Sequence, residues 1–356
     1  MTLTMSRPGE STTTTVQPAL TEALLRVLHG KRRLLLLTHT NPDPDSIASA
    51  MGLRHLAQQK VGLESAFGLS GRIMRAENQE MVKQLGFDLT PLASLDLASF
   101  DCLALVDTQP GFGHTALPDG RAIDIVIDHH LPPHHGPRGL QKPAFADLRT
   151  AVGATSSMIT GYLMDAGVPV PAEIATGLFY GIQTDTADLA RDASPLDLEA
   201  YEFLTGKIDR KRLAAIQSPD VPLEYFRALK AALNGIRIYG DLVLCTLGVT
   251  QSPEMVAEVA DLLLRLKGVD TVFVGGLVAN RYYVSVRTQR QGADAYPMIR
   301  GALRGEGSFG GHGAVAGGNV ELKDPSLRGL RRLERRLEKN ILRSMGAEGR
   351  QVEGIG

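Results

Sequence analysis

The chain has 356 residues, of which 43% are hydrophobic and 22% are charged, and its formal net charge is −1 at pH 7. These values are typical of an ordinary globular protein with one large domain or two domains, and they argue against a broad basic track for long nucleic acid. No apolar stretch reaches the roughly 18 residues that span a bilayer and residues 1–17 lack a secretory pattern, so we expect a cytoplasmic protein without membrane partners.

Helices and strands alternate through the first half of the chain. A Ser/Thr-rich tail at 1–17 is expected to be disordered. The hydrophobic pattern predicts strands at 34–38, 65–69, 101–106 and 123–127, and helices at 19–28, 46–59, 76–85, 154–165, 172–180 and 196–204. We expect Asp45 or Ser46 to cap the second helix. The alternation predicts an α/β domain over 18–205 built on a parallel sheet, with ligands at the carboxyl edge of the strands.

The sequence pattern of the second half of the chain predicts a linker and a smaller α/β domain. The linker, 206–235, is charged, helical in pattern and interrupted by two prolines. The second domain, 236–345, has predicted strands at 241–247, 271–277 and 281–287, a helix at 253–266, a Gly-rich stretch at 305–318 and a basic amphipathic helix at about 326–344. We expect the basic helix to present a solvated face and not a nucleic-acid patch.

Four acidic and histidine clusters follow apolar runs or turns in the first domain. They are His39-Thr40-Asn41-Pro42-Asp43-Pro44-Asp45, Asp107, Asp128-His129-His130 and Thr184-Asp185-Thr186. Each also has a plain explanation as a polar turn, a solvated strand end or a helix cap. Because the first three follow predicted strands, we expect them to meet at one edge of the sheet. Together they hold too many ligands for one open catalytic ion and about enough for two divalent ions.

The second domain offers hydrogen-bond donors for an anion. Gly310 and Gly311 let the backbone approach closely, and His312 adds a side-chain contact, although the same glycines suit a tight turn. Arg287 ends a predicted strand and suits forked phosphate recognition. The chain lacks a GxxxxGK[ST] loop, which disfavours nucleotide hydrolysis of the P-loop type.

These motifs resemble those of the DHH phosphoesterase family, most closely its nanoRNase/pAp-phosphatase branch, which is related to RecJ. The resemblance rests on the four clusters and on the Gly-Gly-His motif. It implies a parallel-sheet DHH domain, a smaller C-terminal domain and an active-site cleft between them. It also implies that one metal ion is held by His39, Asp43 and Asp107, and a second by Asp45, Asp107, His129 and Asp185. His130 would then face the scissile phosphate, and Arg287 and His312 would bind the substrate.

The implied activity is two-metal hydrolysis of very short oligoribonucleotides, of pAp (3′-phosphoadenosine-5′-phosphate), or of both. Two ions together activate water and stabilise the leaving oxygen. Imidazole among carboxylates favours manganese, with magnesium and cobalt as alternatives. A cyclic or linear dinucleotide phosphodiesterase would use the same site. A nucleotide-binding sensor without turnover is a further alternative, against which the full set of ligand candidates argues.

Overall fold

The structure is a computed structural model that describes residues 18–112, 115–118, 120–131, 141–250 and 252–354. The predicted tail at 1–17 lies outside these residues. The chain divides into two compact units, Met1–Pro219 and Asp220–Gly356. The division falls inside the segment predicted as a linker, 206–235, and this segment contributes helical residues to each unit. In the described residues we find no helix long and apolar enough to cross a membrane.

The first unit is built on a six-stranded parallel sheet with the strand order β3-β2-β1-β4-β5-β6. Its strands are β1 (Arg33–Leu37), β2 (Glu64–Leu69), β3 (Leu89–Pro91), β4 (Cys102–Val106), β5 (Ile125–Asp128) and β6 (Phe145–Leu148). Its helices are α1 (Pro18–Leu28), α2 (Pro44–Val61), α3 (Ala76–Leu85), α4 (Thr155–Asp165), α5 (Ala172–Asp185), α6 (Pro195–Thr205) and α7 (Arg210–Gln217), and two short 3₁₀ turns are at Leu92–Ser94 and Leu97–Ser99. The predicted α/β fold is confirmed, and the hydrophobic pattern missed the short edge strands β3 and β6 and the two 3₁₀ turns.

Helix α2 starts two residues earlier than predicted. Its N-cap is Asp43, whose Oδ1 accepts a hydrogen bond from the backbone N–H of Ser46 at 3.0 Å. The prediction of Asp45 or Ser46 as the cap is therefore wrong. Pro44 occupies the first helical position, where a missing N–H costs nothing and the fixed φ suits a helix.

Close packing brings the ends of three helices to the carboxyl edge of the sheet. Helix α2 is central, and Ile47 and Leu53 on it are fully buried. A Cβ atom at Gly181 of α5 would lie 2.4 Å from Ser156 Oγ on α4 and 3.1 Å from the Cα of Asp45 on α2. Only glycine fits this crossing, so the C-terminal end of α5 lies beside the N-terminal ends of α2 and α4.

The second unit has a mixed six-stranded sheet in the order β11-β12-β10-β9-β8-β7. Its strands are β7 (Ile236–Tyr239), β8 (Leu242–Val249), β9 (Thr271–Val278), β10 (Arg281–Thr288), β11 (Ser308–His312) and β12 (Val315–Glu321). Its helices are α8 (Leu223–Asn234), α9 (Pro253–Leu263), α10 (Ala295–Leu303) and α11 (Leu327–Ser344). Of the strand pairs, β8 and β9 are parallel and the others antiparallel. The Gly-rich stretch is thus largely a β-hairpin.

Candidate metal centre

The site lies at the carboxyl ends of three neighbouring strands, β1, β4 and β5. Leu37 of β1 is paired with Leu105 of β4, and Val106 of β4 is paired with Ile127 of β5, so the three strands end at the same level. Asp107 then adopts a left-handed conformation with φ 57°, and its N–H donates to the carbonyl of Ile127 at 2.9 Å. This turn holds the Asp107 side chain inside the protein, where it is 1% exposed.

A first group of ligand atoms comes from His39, Asp43 and Asp107, which lie within 4.8 Å of one another. His39 Nε2 is 3.7 Å from Asp43 Oδ2 and 3.9 Å from Asp107 Oδ2. The other ring nitrogen, Nδ1, lies 3.1 Å from the carbonyl oxygen of Thr40 and is placed to donate to it. That contact fixes the ring with Nε2 toward the carboxylates, as in a metal-ligating histidine.

A second group comes from Asp45, His129 and Asp185, whose ligand atoms also lie within 4.8 Å of one another. His129 Nε2 is 3.3 Å from Asp185 Oδ2 and 3.6 Å from Asp107 Oδ1. Its Nδ1 lies 3.1 Å from the carbonyl of Val152, so this ring is oriented in the same way as that of His39. Asp107 therefore lies beside both groups, with one oxygen toward each histidine.

The residues present fit a bound cation. Nε2 of His129 is buried and has no hydrogen-bond partner among the described residues, although two carboxylates lie around it. A buried polar atom without a partner is costly and calls for an explanation. A divalent ion at this point would accept the imidazole lone pair and share the surrounding carboxylates, which is the donor chemistry of manganese and related metals.

Backbone amides of helix α4 hold Asp45, which is fully buried. Its Oδ2 accepts a hydrogen bond from the N–H of Thr155 and its Oδ1 accepts one from the N–H of Ser156, both at 2.7 Å. The Thr155 hydroxyl donates to Asp107 Oδ1 at 2.9 Å, and the Ser46 hydroxyl donates to the other oxygen of Asp107. The start of α4 thus positions two of the candidate ligands.

Asp128 and Gln109 position His130. Nδ1 of His130 is 2.8 Å from Asp128 Oδ1, and Gln109 Nε2 donates both to Asp128 Oδ2 at 2.8 Å and to the His130 carbonyl at 2.9 Å. His130 Nδ1 is also 3.6 Å from Asp107 Oδ1. Because Nδ1 is paired with Asp128, the ring is oriented as a hydrogen-bond donor beside the two ligand groups. The sequence pattern gave no role to Gln109, which follows Asp107 by two residues.

Asp185 lies in the last turn of a helix. Helix α5 continues to Asp185, five residues beyond the predicted end at 180. It stops there because Ala187, Asp188 and Leu189 all adopt left-handed conformations, with φ of 48°, 58° and 66°. Such φ values are uncommon for residues other than glycine, and they collect at functional sites.

The centre holds more negative charge than its own histidines neutralise. Burial opposes charge on His39 and His129, but the nearby carboxylates outweigh it and raise the pKa of these rings to about 10 and about 11. Burial, together with neighbouring carboxylates, raises the pKa of Asp45 and Asp185 to about 7 and that of Asp107 to about 6. Crowded carboxylates with raised pKa values are typical of sites that bind cations.

The candidate substrate residues lie in the second unit. Arg287, on β10, is nearly buried, and its guanidinium forms an ion pair with Asp261 of α9 and donates to Ser285 Oγ at 2.8 Å. Gly311 has φ 136°, and a Cβ there would lie 2.4 Å from the Cα of Ala316 on the paired strand, so the hairpin requires glycine. Gly310 has open space where a Cβ would be. His312 ends β11, and its side chain lies outside the described part of the structure.

Comparison with protein families matches residues 33–182 to the DHH family, N-terminal domain. An uncharacterized protein of Methanocaldococcus jannaschii is 35% identical over 294 residues, which are 82% of this chain and 59% of that protein. The cyclic-di-AMP phosphodiesterase GdpP of Bacillus subtilis is 22% identical over 322 residues, which are 85% of this chain and 48% of that protein. The chain therefore spans about half the length of these two curated relatives.

A similar fold occurs in the crystal structure of an exopolyphosphatase-related protein from Bacteroides fragilis. The TM-score is 0.72 at 15% sequence identity, and the match covers 94% of this chain and 99% of that one. At this level of identity the likeness concerns the fold. It covers both units, so the two-part α/β architecture is shared by a second protein.

Proposed function

Residues 33–182 match the DHH family, N-terminal domain, and we propose that the chain is a metal-dependent phosphohydrolase that degrades very short oligoribonucleotides, dephosphorylates pAp, or does both. One observation carries this proposal. One group of possible ligands (His39, Asp43 and Asp107) and another (Asp45, His129 and Asp185) meet beside Asp107 at the carboxyl edge of the parallel sheet, and a third group (Asp107, His129 and His130) overlaps both. Two such groups suit the paired ions that hydrolyse phosphate esters.

We assign one ion to His39, Asp43 and Asp107 and the other to Asp45, Asp107, His129 and Asp185. The mixture of imidazole and carboxylate donors favours manganese over magnesium, which prefers oxygen ligands alone. When bound, the ions supply an activated water and positive charge for the leaving oxygen.

His130 is the residue that we propose to contact the scissile phosphate. Burial opposes its charge, but the hydrogen bond with Asp128 and the charge of Asp107 raise its pKa. A protonated, oriented imidazole donates a charge-assisted hydrogen bond to a phosphoryl oxygen. Asp128 and Gln109 then act as positioning residues, because their hydrogen bonds hold the His130 ring.

Small substrates suit the overall charge of the chain. A processive nuclease requires many basic contacts along its substrate, whereas this chain has a formal net charge of −1. The likeness to a cyclic-di-AMP phosphodiesterase favours a second candidate, a cyclic or linear dinucleotide phosphodiesterase that uses the same metal centre. Both candidates cleave a phosphate ester of a small nucleotide.

Product analysis separates the candidates. The full chain with manganese is incubated with di- to pentaribonucleotides, pAp and cyclic dinucleotides, and the products are resolved by chromatography. We expect mononucleotides from the linear oligomers, or phosphate from pAp. Turnover of cyclic dinucleotides alone would select the phosphodiesterase, and binding without turnover of any substrate would select a sensor.

Removal of metal should abolish the activity. We expect protein treated with a chelator to retain less than about a tenth of its activity, and manganese to restore it better than magnesium, because the ligand set mixes imidazole with carboxylates. Metal content, measured by mass spectrometry, provides the control. Full activity in protein whose metal content is confirmed as nil would exclude the two-metal assignment.

Changes in the second unit should affect substrate recognition and leave the metal centre intact. We expect Arg287→Ala to raise KM at least tenfold with an unchanged manganese content, since it removes a forked, charge-assisted contact with phosphate. His312→Ala should also raise KM. The matched control is Asp261→Asn, which removes the ion-pair partner of Arg287 but keeps the guanidinium. An equal rise in KM for Arg287→Ala and Asp261→Asn would make Arg287 a structural residue, and wild-type kinetics for Arg287→Ala and His312→Ala would refute both assignments.

A further inference from the structure

Helix α11 presents an exposed face on which every charged residue is cationic. Its apolar side is buried against the sheet of the second unit, through Leu330, Leu333, Leu337 and Ile341. The exposed charged residues of the helix are Arg328, Arg331, Arg332, Arg335, Arg336, Lys339 and Arg343. They recur at spacings of three and four, so they form one continuous stripe along the helix, which we call the α11 stripe. Such a stripe is unusual in a chain whose formal net charge is −1.

The two glutamates of α11 are half-buried and accept hydrogen bonds from residues of the sheet, although Arg331 is close enough to Glu334 for its charge to oppose the rise in pKa that burial causes. Glu338 accepts hydrogen bonds from Arg237 Nη1 at 2.7 Å and from the Tyr239 hydroxyl at 2.6 Å. Glu334 accepts from the Tyr282 hydroxyl at 3.3 Å. The fully exposed charged residues of this helix are therefore all cationic, and this is visible only in the folded structure.

Few acids lie near the stripe from outside the helix. Arg336 pairs with Glu306 at 3.1 Å and Arg343 with Glu348 at 3.5 Å, both at half-exposed positions. Asp324, just before the helix, lies close enough to Arg328 and Arg332 for their charges to lower its pKa, after the larger effect of its hydrogen bonds with Ser326. In the part of the chain that the structure describes, Arg331, Arg335 and Lys339 have no ion-pair partner.

The chemistry of the stripe fits a phosphate backbone. Guanidinium groups bind phosphate oxygens through forked pairs of hydrogen bonds and are weakly hydrated, which makes them effective at this task. A groove of about 440 Å³ lies beside the stripe and is lined by Arg331 and Arg335, and also by the carboxylates of Glu334 and Glu338. An amphipathic helix that binds a membrane uses its apolar face, and here that face is buried in the core.

We propose that the α11 stripe is a docking surface for single-stranded RNA, which it binds through the phosphate backbone. The proposal goes beyond the hydrolytic function, because the stripe contains none of the metal-ligand or substrate residues assigned above. It revises the expectation from sequence that this helix has a merely solvated face. A local stripe of this kind agrees with the absence of a broad basic track, since it gives the protein one attachment point on RNA.

The test is RNA binding by the full chain in the presence of a chelator, so that the oligomer is not cleaved. The probe is a fluorescent oligoadenylate of about 20 nucleotides, and binding is followed by anisotropy across a salt series. We expect Arg331→Gln/Arg335→Gln/Lys339→Gln to weaken binding at least tenfold. The slope of log K against log salt should fall by about 2, because each phosphate neutralised on a single strand contributes about 0.7. The matched control is Arg210→Gln/Lys211→Gln/Lys267→Gln, which removes the same charge from exposed positions elsewhere and should change binding less than twofold.

Three results would overturn the proposal. The first is a wild-type protein that does not bind the oligomer. The second is an equal loss of binding in the stripe variant and the control variant. The third is binding of phosphatidylserine vesicles, in place of RNA, through the stripe. Cleavage of diribonucleotides in the presence of manganese is measured separately, so that a failure of RNA binding can be distinguished from a failure of the hydrolytic function. The stripe variant should keep wild-type kcat/KM on these substrates. A wild-type protein that cleaves no substrate would contradict the hydrolytic function without affecting RNA binding by the stripe.

Discussion

We expect Asp107→Ala to lower kcat at least a thousandfold on any substrate that the protein hydrolyses, which corresponds to a barrier increase of about 4 kcal/mol. Asp107 is the carboxylate that lies beside both histidines, 3.9 Å from His39 Nε2 and 3.6 Å from His129 Nε2. Its loss would remove a ligand from each ion at once. The other candidate carboxylates each belong to one group, so their removal should spare part of one metal site.

The fold should survive this change. Asp107 accepts hydrogen bonds from the Ser46 and Thr155 hydroxyls, and hydroxyl groups can rotate toward other acceptors. The substitution also removes a buried charge that is repelled by Asp43. Circular dichroism and urea unfolding test the fold, and Asp88→Asn, at an exposed position, serves as the matched control. Retention of more than about a tenth of the wild-type rate, a barrier change of only about 1.4 kcal/mol, would rule out the shared role of Asp107.

The first unit was largely predictable because its central strands β1, β4 and β5 are short apolar runs with a polar residue at or directly after the end. Parallel strands end at a common edge, and this rule alone places His39, Asp107 and Asp128 near one another. The metal-ligand groups follow from that edge. The roles of these residues in catalysis stay predictions until the variants are measured.

Contacts that depend on helix packing were not predictable in the same way. The two amides that hold Asp45 belong to α4, 110 and 111 residues away in the chain, and no local pattern links them. Thr155 and Ser156 at the start of α4 were the available signal, since hydroxyl residues favour helix starts. The extension of α5 to Asp185 was not predicted either, because Thr184 and Asp185 are weak helix formers in isolation.

In the second unit, the sequence pattern did not predict which glycines lie in strands or which partner Arg287 contacts. Glycine-rich sequence reads as a turn, but a strand accepts glycines where its neighbour comes very close, as Gly311 does against Ala316. Arg287 was predicted at a strand end from its position after an apolar run. Whether such a residue faces a ligand or a neighbouring carboxylate depends on α9, which carries Asp261, and strand periodicity contains no information about that contact.

Asp45→Ala should cost both activity and stability, which distinguishes it from Asp107→Ala. Both oxygens of Asp45 accept backbone N–H groups of α4 in a site with no exposure to solvent. Backbone amides cannot rotate to other partners, and each one left unpaired costs about 1–3 kcal/mol. The removal of a buried charge, whose pKa is raised to about 7 chiefly by burial, offsets part of this cost. We therefore expect the free energy of unfolding to fall by about 2–4 kcal/mol in a chelator, and kcat to fall at least a hundredfold with manganese.

Urea unfolding of Asp45→Ala and Asp107→Ala in the same chelator-containing buffer provides the decisive comparison, because bound metal then contributes to neither value. Asp107→Ala should change the free energy of unfolding by less than about 1 kcal/mol, since only hydroxyl donors lose their acceptor. Asp45→Asn is an intermediate case, in which one amide of α4 keeps an oxygen acceptor and the other faces an NH₂ group. Its stability should lie between those of the wild-type protein and Asp45→Ala. Equal stability of the wild-type protein and Asp45→Ala would mean that the start of α4 does not depend on this carboxylate, and Asp45 would then be a metal ligand alone.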